Sequence, residues 1–327
     1  MFALFRLRYC LLVLSCGLTF SSIAARPDQP GHYADTETRH IAVFFPGRMA
    51  GSPAELMTAD YLNQQFHDLG YRSDIRQQNT GYRWQPRTTA AQWQKVTATS
   101  VIAGKSGQQA KDILVIAHLD TRIAGTPAEQ QQNIGGLRLQ GVDNNAAGLG
   151  IMLELAKQLA GTHSDYGIRF VALSATENNM QGMENYFSRM SDEEKHNTLL
   201  VINLNQLVAG RRLELVSGAN TSATERARTA GKAMAIARQL HIPLHARQLT
   251  GTEHQQTTPF DQAGIPYLLV TAEDNNHRHP TALLDDKTSR DNLETIDQKM
   301  PGRLATRCRQ AVQILLPLLK QLSATAG

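Results

Sequence analysis

The chain has 327 residues, 33 of them basic and 29 acidic, and 41% are hydrophobic. That is enough apolar material for one large domain with a substantial core. The modest net charge of +4 is spread along the chain without basic clusters interleaved by aromatics, so nucleic-acid binding has no specific support.

Met1 to about Ala25 reads as a secretory signal. Arg6 and Arg8 precede the apolar stretch Cys10 to Leu18, and Ile23-Ala24-Ala25 or Ser22-Ile23-Ala24 offers a small-residue cleavage site. The apolar stretch is shorter than the roughly 20 residues that a membrane span needs. A lipoprotein signal ending at Cys16 is disfavoured by Leu14, where a small residue is usual. Residues 26–327 are then a single mature domain without a membrane anchor. Cys308 is its one cysteine, so no internal disulfide forms and the core alone must hold it.

Helical periodicity marks 54–69, 146–159, 223–240 and 301–322. Apolar runs bounded by turns mark strands at 100–103, 113–117, 168–173, 199–204, 212–216 and 267–271. This alternation predicts an α/β fold, with a mostly parallel central sheet covered by helices on both faces. Ligands of such sheets collect at the carboxyl ends of strands. His118, Thr176 with Glu177, and Asn205 each follow a predicted strand, so polar positions from three strands converge on one sheet edge. The Gln- and Gly-rich loop from Thr121 to Gln140 either borders that cleft or is a plain exposed connection.

Three segments carry the chemistry: His118-Leu-Asp120, Gly141-Val-Asp-Asn-Asn-Ala-Ala-Gly148 and Ala175-Thr-Glu-Asn-Asn-Met-Gln-Gly182. A two-metal hydrolase needs imidazole or anionic ligands on each ion, a bridging carboxylate and a general base. A histidine after a strand, with an aspartate two residues on, suits a ligand oriented by an acid. One His-x-Asp is weak evidence by itself.

Together with Asn203-Leu-Asn205, the order of these segments resembles metallopeptidase family 28, the two-zinc aminopeptidases. The likeness is closest to an exported bacterial branch of that family. Arg39 to Arg48, Gly148 to Ala156, Tyr166 to Ala172, Asn197 to Leu204, Asp261 to Pro266 and Pro301 to Arg303 extend it over nearly the whole mature chain. The resemblance implies an aminopeptidase fold, peptide or protein N-termini as partners, zinc as cofactor and a periplasmic location.

The residues within the segments depart from that pattern. By resemblance His118 is a zinc ligand and Asp120 its orienting acid. The bridging aspartate falls at Asn144, whose neutral amide is a poor bridge between two dications. The neighbouring Asp143 is expected to point elsewhere. Anchored on Gly182, the general base falls at Thr176 and the adjacent zinc ligand at Glu177. A register slipped by one makes Glu177 the base and Asn178 the ligand. A threonine hydroxyl accepts no proton from metal-bound water near neutral pH, and base catalysis contributes about 10²–10⁴-fold.

A further acid falls at Asn205. The last zinc histidine falls at Asp286, or at Lys287 in a shorter register, and another family aspartate near Gln255-Gln256. His254, His277 and His279 have no assigned place, although one of them is a candidate replacement for the lost histidine.

The sequence therefore supports three readings. One is an exported homologue whose site is eroded and which binds peptide ends or a partner. The second is an active zinc aminopeptidase with an altered ligand set, and the third a folded remnant without a partner. One zinc ion at most is expected, or none.

Overall fold

The computed structural model describes residues 29–84, 90, 92–123, 138–250, 258–274 and 291–324. The expected signal lies outside them, as do His254, His277, His279, Asp286, Lys287, Gln255-Gln256 and most of the Thr121 to Gln140 loop. Among the described residues no helix is long and apolar enough to cross a membrane.

Eight strands form one mixed sheet: β1 (Arg72–Trp84), β2 (Gln92–Lys105), β3 (Asp112–His118), β4 (Gly167–Leu173), β5 (Thr198–Leu204), β6 (Arg212–Ser217), β7 (Leu244–Gln248) and β8 (Tyr267–Glu273). Their order is β1-β2-β4-β3-β5-β8-β6-β7. The centre, β4-β3-β5-β8, is parallel throughout, whereas β1, β2 and β6 join antiparallel. The central strands are buried on both faces, which is why they read as continuous apolar runs.

The helices are α1 (His32–Phe44), α2 (Pro53–Asp68), α3 (Ala147–Leu159), α4 (Gln181–Arg189), α5 (Asp192–Asn197), α6 (Ala223–Arg226), α7 (Lys232–Gln239), α8 (Pro259–Gln262), α9 (Leu293–Lys299) and α10 (Arg303–Leu322). One sheet face, with Ile113, Val115, Phe170 and Ile202, packs into a large core with α1, α2, α3, α7 and α10. The other face, with Leu114, Ile116, Val171 and Val201, packs against Met183 and Tyr186 of α4 and Phe260 of α8. Helices thus cover both faces, but unequally.

Local chemistry sets the helix starts. Ser52 caps α2 by accepting Glu55 N–H, with Pro53 in the first turn, and Ser191 and Glu194 form a reciprocal capping box on α5. The N-terminus of α1 is satisfied from across the core, where both oxygens of the buried Glu154 carboxylate on α3 accept backbone N–H groups of Gly31 and Ala34 at 2.8 Å. Gly150 lets α1 and α3 touch, because a Cβ there would collide with Thr38 and the Ala34 carbonyl.

The structure adds α1, α4, α5, α8, α9, β1 and β7 to the expected elements. Helix α1 is polar in sequence yet buries Glu37 and Thr38, and β2 begins at Gln92 rather than Ser100. With β1, its first half forms a two-stranded ribbon that leaves the core, so no apolar alternation announces it.

Candidate functional site

His118 ends β3, Ser174 follows β4 and Asn205 follows β5, so three adjacent parallel strands deliver side chains to one carboxyl edge. A fourth element, the turn Val142–Ala146 leading into α3, brings Asn144 onto the same spot. This turn is tightly held. The Asp291 carboxylate accepts the backbone N–H groups of Asp143 and Asn144 at 2.8 and 2.9 Å, and Asn145 Nδ2 donates to the Leu204 carbonyl at 2.8 Å. Arg48, wholly buried, donates to the carbonyls of Phe45, Leu119, Gln140 and Gly141 at 2.9–3.1 Å. Burial lowers its guanidinium to about 10, although Asp291 and Asp120 oppose the shift.

The polar contacts converge on His118. Its Nδ1 donates to the Asp120 carbonyl at 2.9 Å and lies 3.5 Å from Asp120 Oδ1. Its Nε2 lies 2.9 Å from Asn144 Oδ1 and 3.1 Å from Asn205 Oδ1. The Asn144 amide is fixed in this sense because its Nδ2 donates to Glu177 Oε1 at 2.9 Å. Both ring nitrogens therefore face acceptors, the arrangement of an imidazolium. Burial alone would lower the His118 pKa. Asp120 and Glu177 outweigh it and carry the pKa up to about 9.

Asp120 also ties the edge together. Its Oδ2 accepts the Glu177 N–H at 3.0 Å, so one carboxylate positions both the ring and the turn bearing Glu177. Thr176 Oγ1 is buried without a hydrogen-bond partner. Asp143 turns away, its Oδ1 accepting from Val208 N at 2.6 Å and Ala209 N at 3.2 Å. The structure thus brings together His118, Asp120, Asn144, Glu177 and Asn205, with Thr176 beside them. Asp286 lies outside the described residues.

The donors among the described residues, one imidazole and one carboxylate joined by two neutral amides, are too few for two zinc ions. A zinc-binding imidazole presents a bare lone pair, but His118 Nε2 faces two neutral amide oxygens. Glu177, whose Oε1 is 3.9 Å from Nε2, is engaged by the Asn144 amide nitrogen. Among the described residues no group of three or more His, Cys, Asp or Glu could hold a metal ion.

Arg48, Asp291 and Glu55 had no assigned role in the sequence, although all three support this edge. The buried Glu55 carboxylate accepts from Thr99 N at 3.1 Å, from Gly51 N at 2.9 Å and from the Ser174 hydroxyl. Sequence alone does not distinguish such buried charges from solvated ones.

Residues 100–312 match Peptidase family M28, and the chain belongs to that family. It is 43% identical to the alkaline phosphatase isozyme conversion protein of Escherichia coli K12, over 97% of this chain and 98% of that protein. Among solved structures, a zinc aminopeptidase from Bacillus subtilis superposes with a TM-score of 0.71 at 14% identity, covering 90% of this chain and 96% of the other. Porphyromonas gingivalis glutaminyl cyclase superposes with a TM-score of 0.60 at 17% identity, over 90% and 99%. At such identities the likeness is one of fold, and in these two proteins one fold carries different chemistries.

Proposed function

We propose that this chain is an exported, periplasmic member of peptidase family M28 that binds the amino end of a polypeptide without hydrolysing it. The observation that carries this is the Asn144 side chain, which joins His118 to Glu177 where a two-metal peptidase needs a bridging acid. Thr176 supplies no base, and Asn205 adds a second neutral oxygen at His118 Nε2. The half-buried Glu177 keeps a carboxylate at the edge of the site, suited to a terminal ammonium group that binds alongside the Asn144 amide. The signal-like first 25 residues support export. If the Asp286 position contributes a donor, one zinc ion is the most this set would hold.

The test uses protein beginning at residue 26. It is expected to carry at most one zinc ion, to leave aminoacyl p-nitroanilides uncut, and to bind a peptide with a free amine about tenfold or more tighter than its acetylated form. The combined repair Asn144→Asp, Thr176→Glu, Asn205→Asp and Asp286→His is expected to restore two-zinc binding. Two zinc ions per parent chain, with hydrolysis abolished in Glu177→Ala, would establish an active peptidase instead.

A further inference from the structure

Among the described residues, no strand pairs with the first half of β2 on the side away from β1. β4 pairs with β2 only over Val101 to Lys105, and Ser174 then turns away after its N–H meets Ser100 Oγ at 3.0 Å. Thr99 N–H points away from β1, donating to Glu55 Oε1 at 3.1 Å. In an antiparallel pair, residues two apart direct their backbone groups to the same side. The N–H and C=O groups of Trp93, Lys95 and Thr97 therefore also point away from β1, where no described strand pairs with them. The opposite strand agrees in phase: Gln77 and Gly81, across from Thr99 and Lys95, direct their carbonyls outward to Arg189 and Asn178.

Beside this edge both strands of the ribbon line a cleft of about 670 Å³, with Asn79 to Gly81 from β1, Trp93 and Lys95 to Thr97 from β2, and Gln181. Trp93 is 58% exposed. Its indole lies across Gly81, where a Cβ would come within 2.5 Å of Nε1. An open edge flanked by an exposed aromatic is a template for one kind of occupant, another extended backbone. A second copy of this chain fits poorly. Two-fold pairing that uses all three outward residues centres on Lys95 and sets it against its own symmetry mate, a like-charge pair. An acidic side chain opposite Lys95 is complementary.

We infer that the β2 edge from Trp93 to Thr97 is a docking site for an extended polypeptide segment of a partner, added as a further strand with an acidic residue opposite Lys95. This goes beyond recognition of an amino end and stands without it, because it uses only backbone groups and one side-chain charge.

The probe is acetyl-Thr-Val-Thr-Glu-Thr-Val-Thr-amide, blocked at both ends so that an amino-end site plays no part. Binding is read by Trp fluorescence and by amide shifts of residues 93–97. The Glu peptide is expected to bind about threefold tighter than its Glu→Lys counterpart, and Lys95→Glu is expected to reverse that order. N-methylation of alternate residues on the pairing side should weaken binding about tenfold or more. Absence of binding at about 1 mM, indifference to N-methylation, or an unreversed preference in folded Lys95→Glu would overturn the inference. So would dimerisation of the chain through this edge.

Discussion

Asn144 and Glu177 are joined by a hydrogen bond in which an amide nitrogen donates to a carboxylate at 2.9 Å. The same amide turns its oxygen to His118, so one neutral side chain satisfies a cation and an anion together. An aspartate in its place accepts from His118 but has nothing to donate to Glu177. Asn144→Asp alone is therefore expected to destabilise the metal-free protein by about 1–3 kcal/mol, seen as a lower melting temperature at neutral pH. Excess zinc should recover part of the loss. A metal-free variant as stable as the parent would break the assigned network.

Glu55 makes stability depend on pH. Burial raises its carboxyl to about 7 from 4.5, against hydrogen bonds from Ser174, Thr99 and Gly51 that lower it. The folded chain keeps this proton up to about pH 7, while the unfolded chain releases it near 4.5. The stability it contributes is full below pH 4.5 and is lost as pH rises to 7, roughly 3 kcal/mol in all. Glu55→Gln has no such proton to lose. Gln is expected to cost stability at pH 5 because its amide nitrogen meets the Gly51 N–H, and to close that gap or overtake the parent by pH 8. Urea unfolding midpoints at the two pH values measure the difference. Parallel pH profiles would contradict it.

His241 ends α7 with φ +53°, a left-handed residue at the position that favours glycine. The surrounding pattern is a glycine-type helix stop, with Ile242 N–H bonded to the Ala237 carbonyl at 2.9 Å. The imidazole is exposed and gives little in return for the strained backbone. His241→Gly is expected to raise stability by about 1 kcal/mol. Equilibrium denaturation checks this, and a less stable variant would count against the helix end as described.

Buried strands such as Ile113 to Ala117 were legible because both faces are covered, leaving an unbroken apolar run. Strand β1, Arg-Ser-Asp-Ile-Arg-Gln-Gln-Asn-Thr-Gly-Tyr-Arg-Trp, was not, because an exposed ribbon needs no alternation. Helix α1 was missed for another reason: its buried Glu37 accepts from Tyr61, a partner in a different helix. At the site, the meeting of His118, Thr176 with Glu177, and Asn205 at one sheet edge follows from strand ends that could be read in the sequence. The direction in which the Asn144 amide faces could not, since it depends on Glu177 across 33 positions. The fourfold engagement of Arg48 was equally hidden, its acceptors all being backbone carbonyls.

Cys308 lies in α10 with its side chain sealed in the core, and burial pushes its thiol pKa up. A chain begun at residue 26 carries no other sulfhydryl. Maleimide reagents therefore meet a silent background in the folded protein. A single introduced cysteine, Gln92→Cys for instance, would take one fluorophore at one exposed address near Lys95, so the ribbon edge can be watched by polarisation without stripping native thiols first.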